Sequence, residues 1–516
     1  MLLSLLFIAS AALSVHPWYY LMLTIAQLVF VPIALHLIWR KKSVRYFLFS
    51  VPAYLSVFFL QILEETNMDW LLAAIYLCFT IAVAGKGLRR FLSRGFSRLE
   101  EFSIDMGMIY LAIGGIWFFA HITEIDTGFS PILTWLTAIH FHYSSFLLPI
   151  FVGLLGRIAK PKGYRVITTI LLIAPLIVAL GITFSPWLEL LSVLMYVVGI
   201  YGLIAICWST NFTNSWAKAF VMLSFIAIGV TILFSLLYAL GTVFGYFGVG
   251  IDFMLRFHGF FNCVIFGLGG LIGWWLWTPA SREGYSFPIS SIRGKWSIGE
   301  RILEGNKTSE LYSGLVDNMS IYIDRKKLAP TISDFYENTN NYRLFASVRW
   351  HSWFKPLAAV YHLFSKRVQQ LNLPLSQEEL EMTGNIVSIV DGREKTRAWV
   401  RKIKEEVIFV ALYSFHHTSE KTYMNIALPL PWSSMIGVLE LRQSKRKLTL
   451  TSQATVDSDA GIYLALGKNL FKLPIHERFE VKETSPKHLS ALHRMWIFGV
   501  PFLTITYRIQ GPIQKS

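Results

Sequence analysis

Two histidines stand inside an apolar run that is long enough to cross a bilayer. The run Pro131–Leu155, PILTWLTAIHFHYSSFLLPIFVGLL, carries no formally charged residue, and His140 and His142 fall near its middle. Ionisable groups in hydrocarbon are costly, so they face a protein interior or a wet cavity and mark function. A neutral imidazole there can relay a proton, hydrogen-bond a ligand or bind a metal. A second apolar stretch carries Arg256, His258 and Asn262, and His121 closes a third. Residues four apart share a helix face, which groups His140 with Ser144, His258 with Asn262 and Asp252 with Arg256. His142 lies about 200° round the helix from His140. No HxxxH spacing occurs, so no metal is assigned. The candidate ligand-contacting set is His121, His140, His142, Ser144, Arg256, His258 and Asn262, with no catalytic residue and no cofactor implied.

The elements that position these residues follow from hydropathy and charge. The chain has 516 residues, 54% hydrophobic and 15% charged, with mean hydropathy +0.49. That composition fits a polytopic membrane protein. Residues 1–280 hold 15 Lys+Arg and 10 Asp+Glu, whereas residues 281–516 hold 32 and 22. A membrane half is therefore expected over 1–280, a connector over 281–330 and a soluble domain over 331–516. Apolar runs occur at 2–15, 18–39, 46–63, 69–85, 104–121, 131–155, 166–184, 186–208, 219–247 and 253–278, giving ten spans. The intervening loops alternate in charge. Arg40, Lys41, Lys42 and Arg45, then Lys86 to Arg98, then Arg157 to Arg165, then Lys218 mark one side; Glu64, Glu65, Asp69, Glu124, Asp126, Glu189 and Asp252 mark the other. Basic loops stay in the cytoplasm, which places both termini there. On this tracing His140 lies about 14 Å below Pro131 and His258 on the order of 9 Å below Asp252, at comparable depth in the outer half.

Net charge +15 is read as basic loops and a basic domain beside anionic headgroups, with no nucleic-acid partner. Cys78, Cys207 and Cys263 all lie in apolar stretches and form no disulfide framework. In the second half the period changes. Leu328–Asn338 and Phe354–Leu371 read as helices, the second packing on a sheet or plugging it. Nine strands are expected at 385–390, 396–403, 407–416, 423–428, 435–442, 447–453, 461–466, 477–482 and 496–508, separated by turn signals such as Asp391-Gly392. They form an antiparallel meander curved into a barrel-like sheet, so the fold class is a polytopic helical membrane domain followed by a soluble α+β domain. No nucleotide-binding motif occurs. His416-His417 reads as a strand-end polar pair, and Lys445-Arg446-Lys447 as a hairpin turn.

The stretches TAIHFHYSSFLLPIFVGLLGR (137–157), RFHGFFNCVIFGLGGLIGW (256–274) and DFYENTNNYRLFASVRWHSWFKPLAAVYHLFSKRVQQLNLP (334–374) resemble the YndJ-like family of bacterial membrane proteins. KNLFKLPIHERFEVKE (468–483) and GVPFLTITYRI (499–509) are similar to an uncharacterised β-rich domain of the DUF4166 type. The resemblance implies a bacterial cell-membrane location and supplies no catalytic residues. The expected function is binding of a small or lipidic ligand at the histidine-lined intramembrane site, coupled to the cytoplasmic domain in a sensor or transporter. One alternative is an intramembrane hydrolase. Glu64-Glu65 with His140 and His258–Asn262 resembles CPBP-type proteases in outline, but the run is EETNMD without the following arginine, and the FxxxH element is missing. Another is an assembly protein recruiting an unknown protein partner through its C-terminal domain.

Overall fold

The structure, a computed structural model, describes residues 2–39, 44–245, 248–281, 287–418, 421–444, 447–453, 458–467 and 469–511. Arg40, Lys41 and Lys42 of the first basic loop and Lys445-Arg446 of the expected hairpin turn lie outside them. The chain divides into two compact units: Met1–Phe91 with Arg98–Glu283, and Leu92–Ser97 with Gly284–Ser516.

The first unit is all helical. Among the described residues eight of its helices are long and apolar enough to cross a membrane: α2 (Trp18–Ile38), α4 (Asp69–Arg94), α5 (Leu99–Ile122), α6 (Pro131–Ile158), α7 (Tyr164–Phe184), α8 (Pro186–Ser209), α9 (Ser215–Phe244) and α10 (Ile251–Leu276). Two shorter apolar helices, α1 (Leu2–Leu13) and α3 (Val44–Ile62), bring the apolar helices to about the expected ten. Local chemistry sets the ends. Pro131 and Pro186 start α6 and α8, where a missing N–H costs nothing. The Asn214 side chain caps α9 by accepting from the Ala217 amide, and Gly245 ends that helix at φ +71°. In α2, α6 and α10 the helix loosens into π-helical turns at Ala26–Phe30, Tyr143–Leu147, Met254–Gly259 and Asn262–Gly269. Such wide turns often accompany function. Hydroxyls from neighbouring helices reach main-chain carbonyls beside or within them: Tyr143 donates to Met22 O (2.6 Å) and Ser224 to Phe266 O (2.9 Å). In hydrocarbon such groups have no water to turn to.

The second unit is built on a twelve-stranded antiparallel sheet. Its strands are β1 (Arg343–Trp350), β2 (Leu380–Ser388), β3 (Arg397–Ile403), β4 (Glu406–Thr418), β5 (Lys421–Leu430), β6 (Ser433–Ser444), β7 (Lys447–Thr451), β8 (Gly461–Leu466), β9 (Asn469–Lys472), β10 (Ile475–Ser485), β11 (His488–Ile497) and β12 (Val500–Gln510). Strand β5 pairs with β6, which closes ten strands into a barrel in the order β1-β2-β3-β4-β5-β6-β7-β10-β11-β12. Long β6 holds both β7 and β8 on one edge, so β8–β9 form a flap outside the ring. Alternation fills the interior: Leu503, Ile505, Tyr507 and Ile509 on β12 point inward, as do Phe479 and Val481 on β10. The outer face of β3–β6 is covered by a second apolar cluster that includes Phe287, Ile292 and Leu303.

Two helices flank the sheet, α11 (Pro330–Glu337) and α12 (Lys355–Val368). The second does not plug the barrel. Only Ala358 and Ser365 of α12 are buried, and Leu357, Val360, Leu363 and Phe364 are exposed. Its return segment is fixed instead, through Gln370 Nε2 to Val410 O (3.1 Å) and Pro429 O (2.8 Å).

Candidate functional site

In the membrane unit the seven sequence-derived residues separate into distinct environments. A backbone carbonyl only accepts, so each histidine that contacts one through Nδ1 carries its proton there and leaves Nε2 bare. His142 donates from Nδ1 to Ala138 O (2.8 Å) and accepts at Nε2 from the Tyr76 hydroxyl (2.8 Å). It is fully buried, and a Cβ on Gly114 would sit 2.9 Å from its Nδ1. This imidazole is saturated and joins α6 to α4. His121 lies apart, its Nε2 3.2 Å from the Tyr20 hydroxyl, in an aromatic group with Trp135 and His16 around Tyr20. Arg256 pairs with Asp252 at 2.9 Å on an exposed surface.

His140 and His258 do come together, with ring centroids 6.4 Å apart. His140 donates to Leu136 O (2.6 Å) and His258 to Thr231 O (3.0 Å). Asn262 accepts from the Thr231 hydroxyl at 2.8 Å, and Ser235 lies 3.4 Å from His258 Nδ1. Ser144 folds back onto His140 O (2.8 Å). His140 is exposed and His258 half-buried. Their Nε2 atoms have no hydrogen-bond partner among the described residues. No hydrogen bond or ion pair joins Glu64 or Glu65 to either histidine among those residues. Nor is any group of three or more His, Cys, Asp or Glu there placed to hold a metal ion.

A buried ionic cluster in the same unit escaped the loop-charge reading. Glu101 accepts from Arg157 Nε (2.7 Å) and Nη2 (3.0 Å) and from Arg90 Nη2 (2.9 Å). Arg90 also pairs with Asp105 at 2.9 Å, and Lys160 with Glu100 at 2.7 Å. Glu100, Glu101 and Asp105 are at most 3% exposed. The clue was available: three acids, Glu100, Glu101 and Asp105, open a helix between two basic loops.

The barrel holds the other site. Its interior is a cavity of about 170 Å³ with mainly apolar walls. Arg401, Glu477, His493, Tyr413 and Tyr507 reach into it. Glu477 is held by His493 at 3.0 Å, and that imidazole stacks on Phe479 with centroids 3.6 Å apart. Gly437 leaves room for this carboxylate, since a Cβ there would lie 2.6 Å from Glu477 Oε1. Arg401 is 3% exposed, its guanidinium stacked 4.0 Å over Trp399. Burial pushes its pKa down to about 10, which leaves it charged at neutral pH. Burial likewise raises the Tyr413 and Tyr507 phenols above the usual tyrosine range. Sequence patterning could not single out Arg401. It sits in RAWVRKI beside Arg397 and Lys402, and only ring closure decides which side is inside.

His416 has a carboxylate partner that sequence spacing hid: Asp459 lies 3.3 Å from Nε2, with Asn425 at 3.0 Å on Nδ1. Burial opposes ionisation of Asp459, but His416 and Thr418 outweigh it and hold the carboxyl below its ordinary range.

These features define a multi-pass membrane protein with a C-terminal antiparallel β-barrel domain. The profile of the YndJ-like protein family matches residues 21–266. The chain is also 36% identical over 512 residues to "Uncharacterized membrane protein YndJ" of Bacillus subtilis (strain 168), covering 95% of this chain and 94% of that protein. The chain therefore belongs to the YndJ-like family. No solved structure matches it.

Proposed function

We propose that this protein is a membrane-anchored binding protein whose barrel takes up an apolar or amphipathic small molecule. The closed ten-stranded ring around an apolar cavity carries this reading. An apolar cavity of ~150 Å³ stays dry and admits a guest the size of benzene, and this one is larger. The alternation of loop charge supports a bacterial inner-membrane location with both termini, and hence the barrel, in the cytoplasm. There the lipid bilayer is both the anchor and a source of apolar ligand.

The test is equilibrium dialysis of ¹⁴C-labelled 1-octanol against the full chain in nanodiscs, with empty nanodiscs as the blank. Saturable uptake near one per chain is expected, and Ala491→Phe, which fills the cavity wall, should remove it without unfolding the protein. Uptake no greater than the blank, or equal in the filled variant, overturns the reading.

A second reading keeps the membrane histidines. His140 and His258 present two bare Nε2 atoms on rings 6.4 Å apart, which suits a small ligand with hydrogen-bond donors, coupled to the barrel in a sensor or transporter. If replacing His140, His142 and His258 together with Ala changes neither ligand uptake nor cellular phenotype in a folded protein, that reading fails.

A further inference from the structure

We propose that Arg401 seats the carboxylate of a single-chain acid whose tail fills the barrel, an assignment of ligand class that rests on the barrel reading above. The argument begins from what Arg401 lacks. Other buried arginines of this unit have carboxylate partners: Arg393 meets Asp391 at 2.5 Å and Arg397 meets Asp317 at 2.7 Å. Arg401 has none within ion-pair distance among the described residues. Its Nε is buried with no hydrogen-bond partner, and its Nη2 rests 3.1 Å from the Met382 sulfur. A buried cation without a counter-ion is costly, and a bound anion removes that cost. The rigid planar fork of arginine matches a carboxylate with two parallel hydrogen bonds.

The surroundings narrow the class. Tyr413 and Tyr507 face the same cavity, and among the described residues neither phenol is spent on a hydrogen bond. They add neutral donors beside the guanidinium. Glu477 lies in the same cavity, hydrogen-bonded to His493. A dianionic headgroup would meet that carboxylate, so a monoanion is favoured over a phosphate monoester. The remaining walls are leucine, isoleucine, methionine and aromatic side chains, which suit an acyl tail of modest length.

Three probes in the same dialysis assay decide the matter: octanoate, 1-octanol and octyl phosphate, each against the full chain in zwitterionic nanodiscs. Octanoate is expected to bind at least ~10-fold more tightly than 1-octanol, the scale of a hydrogen-bonded charge pair. Arg401→Met should abolish that preference, so that octanoate and 1-octanol bind the variant alike, with hydrogen exchange along β3 confirming the fold. Arg401→Lys keeps the charge and loses the fork, so it should weaken octanoate without removing its preference. The preference should also fade as pH rises through about 10, where the buried guanidinium loses its proton. Equal affinity for octanoate and 1-octanol, octanoate uptake indifferent to both variants, or tighter binding of octyl phosphate overturns the carboxylate seat and leaves the barrel reading standing. Uptake of no probe at all overturns both.

Discussion

Two buried charge sites invite comparison. In the membrane unit, Glu101 is gripped by Arg157 and Arg90, and Asp105 and Glu100 have cationic partners of their own. In the barrel, Arg401 is just as hidden and has no anion within ion-pair distance among the described residues. The first arrangement is paired: each acid has a cationic partner, and the pairs join α4, α5, α6 and the Lys160 segment that follows it. The second is open: the Arg401 guanidinium keeps bonding capacity that the protein does not use. The same contrast separates the histidines. His142 spends both ring nitrogens within the protein, whereas His140 and His258 each spend one. A buried polar group is evidence for a site in proportion to the bonding capacity left over, and burial alone says little.

The comparison breaks first at Glu101. Glu101→Gln strands two arginine contacts in a dry place, and loss of about 3–5 kcal/mol of stability is expected in denaturant unfolding of the full chain. Unchanged unfolding would mean the cluster is wet or slack. Next comes Tyr76→Phe, which leaves Nε2 of His142 buried and bare; about 1–3 kcal/mol should be lost by the same measurement. Arg401→Met should move the other way. Removing a lone buried charge in favour of an apolar side chain is expected to leave the barrel as stable as before or more stable by ~1 kcal/mol or more, read as slower hydrogen exchange along β3. The smallest effect is expected at His140→Ala. That exposed side chain should change stability by no more than about 0.5 kcal/mol, and a larger loss would show that its free nitrogen has a partner.

The sequence made the architecture readable to different depths. Spans were legible because twenty-residue apolar runs and alternating loop charge are strong signals. Eight of the strands were placed with small shifts at their ends. The expected strands leave out β1, whose RLFASVRW carries Arg343 and Arg349 near its two ends, and the four-residue β9. Trp496–Arg508 was read as one strand although Phe498 and Gly499, both at positive φ, turn the chain between β11 and β12. Estimated depth puts His140 and His258 at a similar level without bringing them together, and helical geometry puts His140 and His142 on opposite faces. What pattern could not supply was partnership. Glu101 and Asp105 take their partners Arg90 and Arg157 from other helices, Asp459 lies 43 residues from His416, and Arg401 resembles any basic strand residue. Each depends on contacts between segments far apart in the chain.

The central claim is that the open charge in the barrel is a ligand seat. The most direct measurement is hydrogen exchange across β3 in the full chain, with and without saturating octanoate, for the wild type and Arg401→Met. Octanoate at ~100 times its wild-type dissociation constant should protect the wild-type strand by about 2.7 kcal/mol and Arg401→Met by no more than about 1.4 kcal/mol, since a ~10-fold weaker complex is then only ~10-fold above its own dissociation constant. Equal protection of both proteins, or protection of neither, would contradict it.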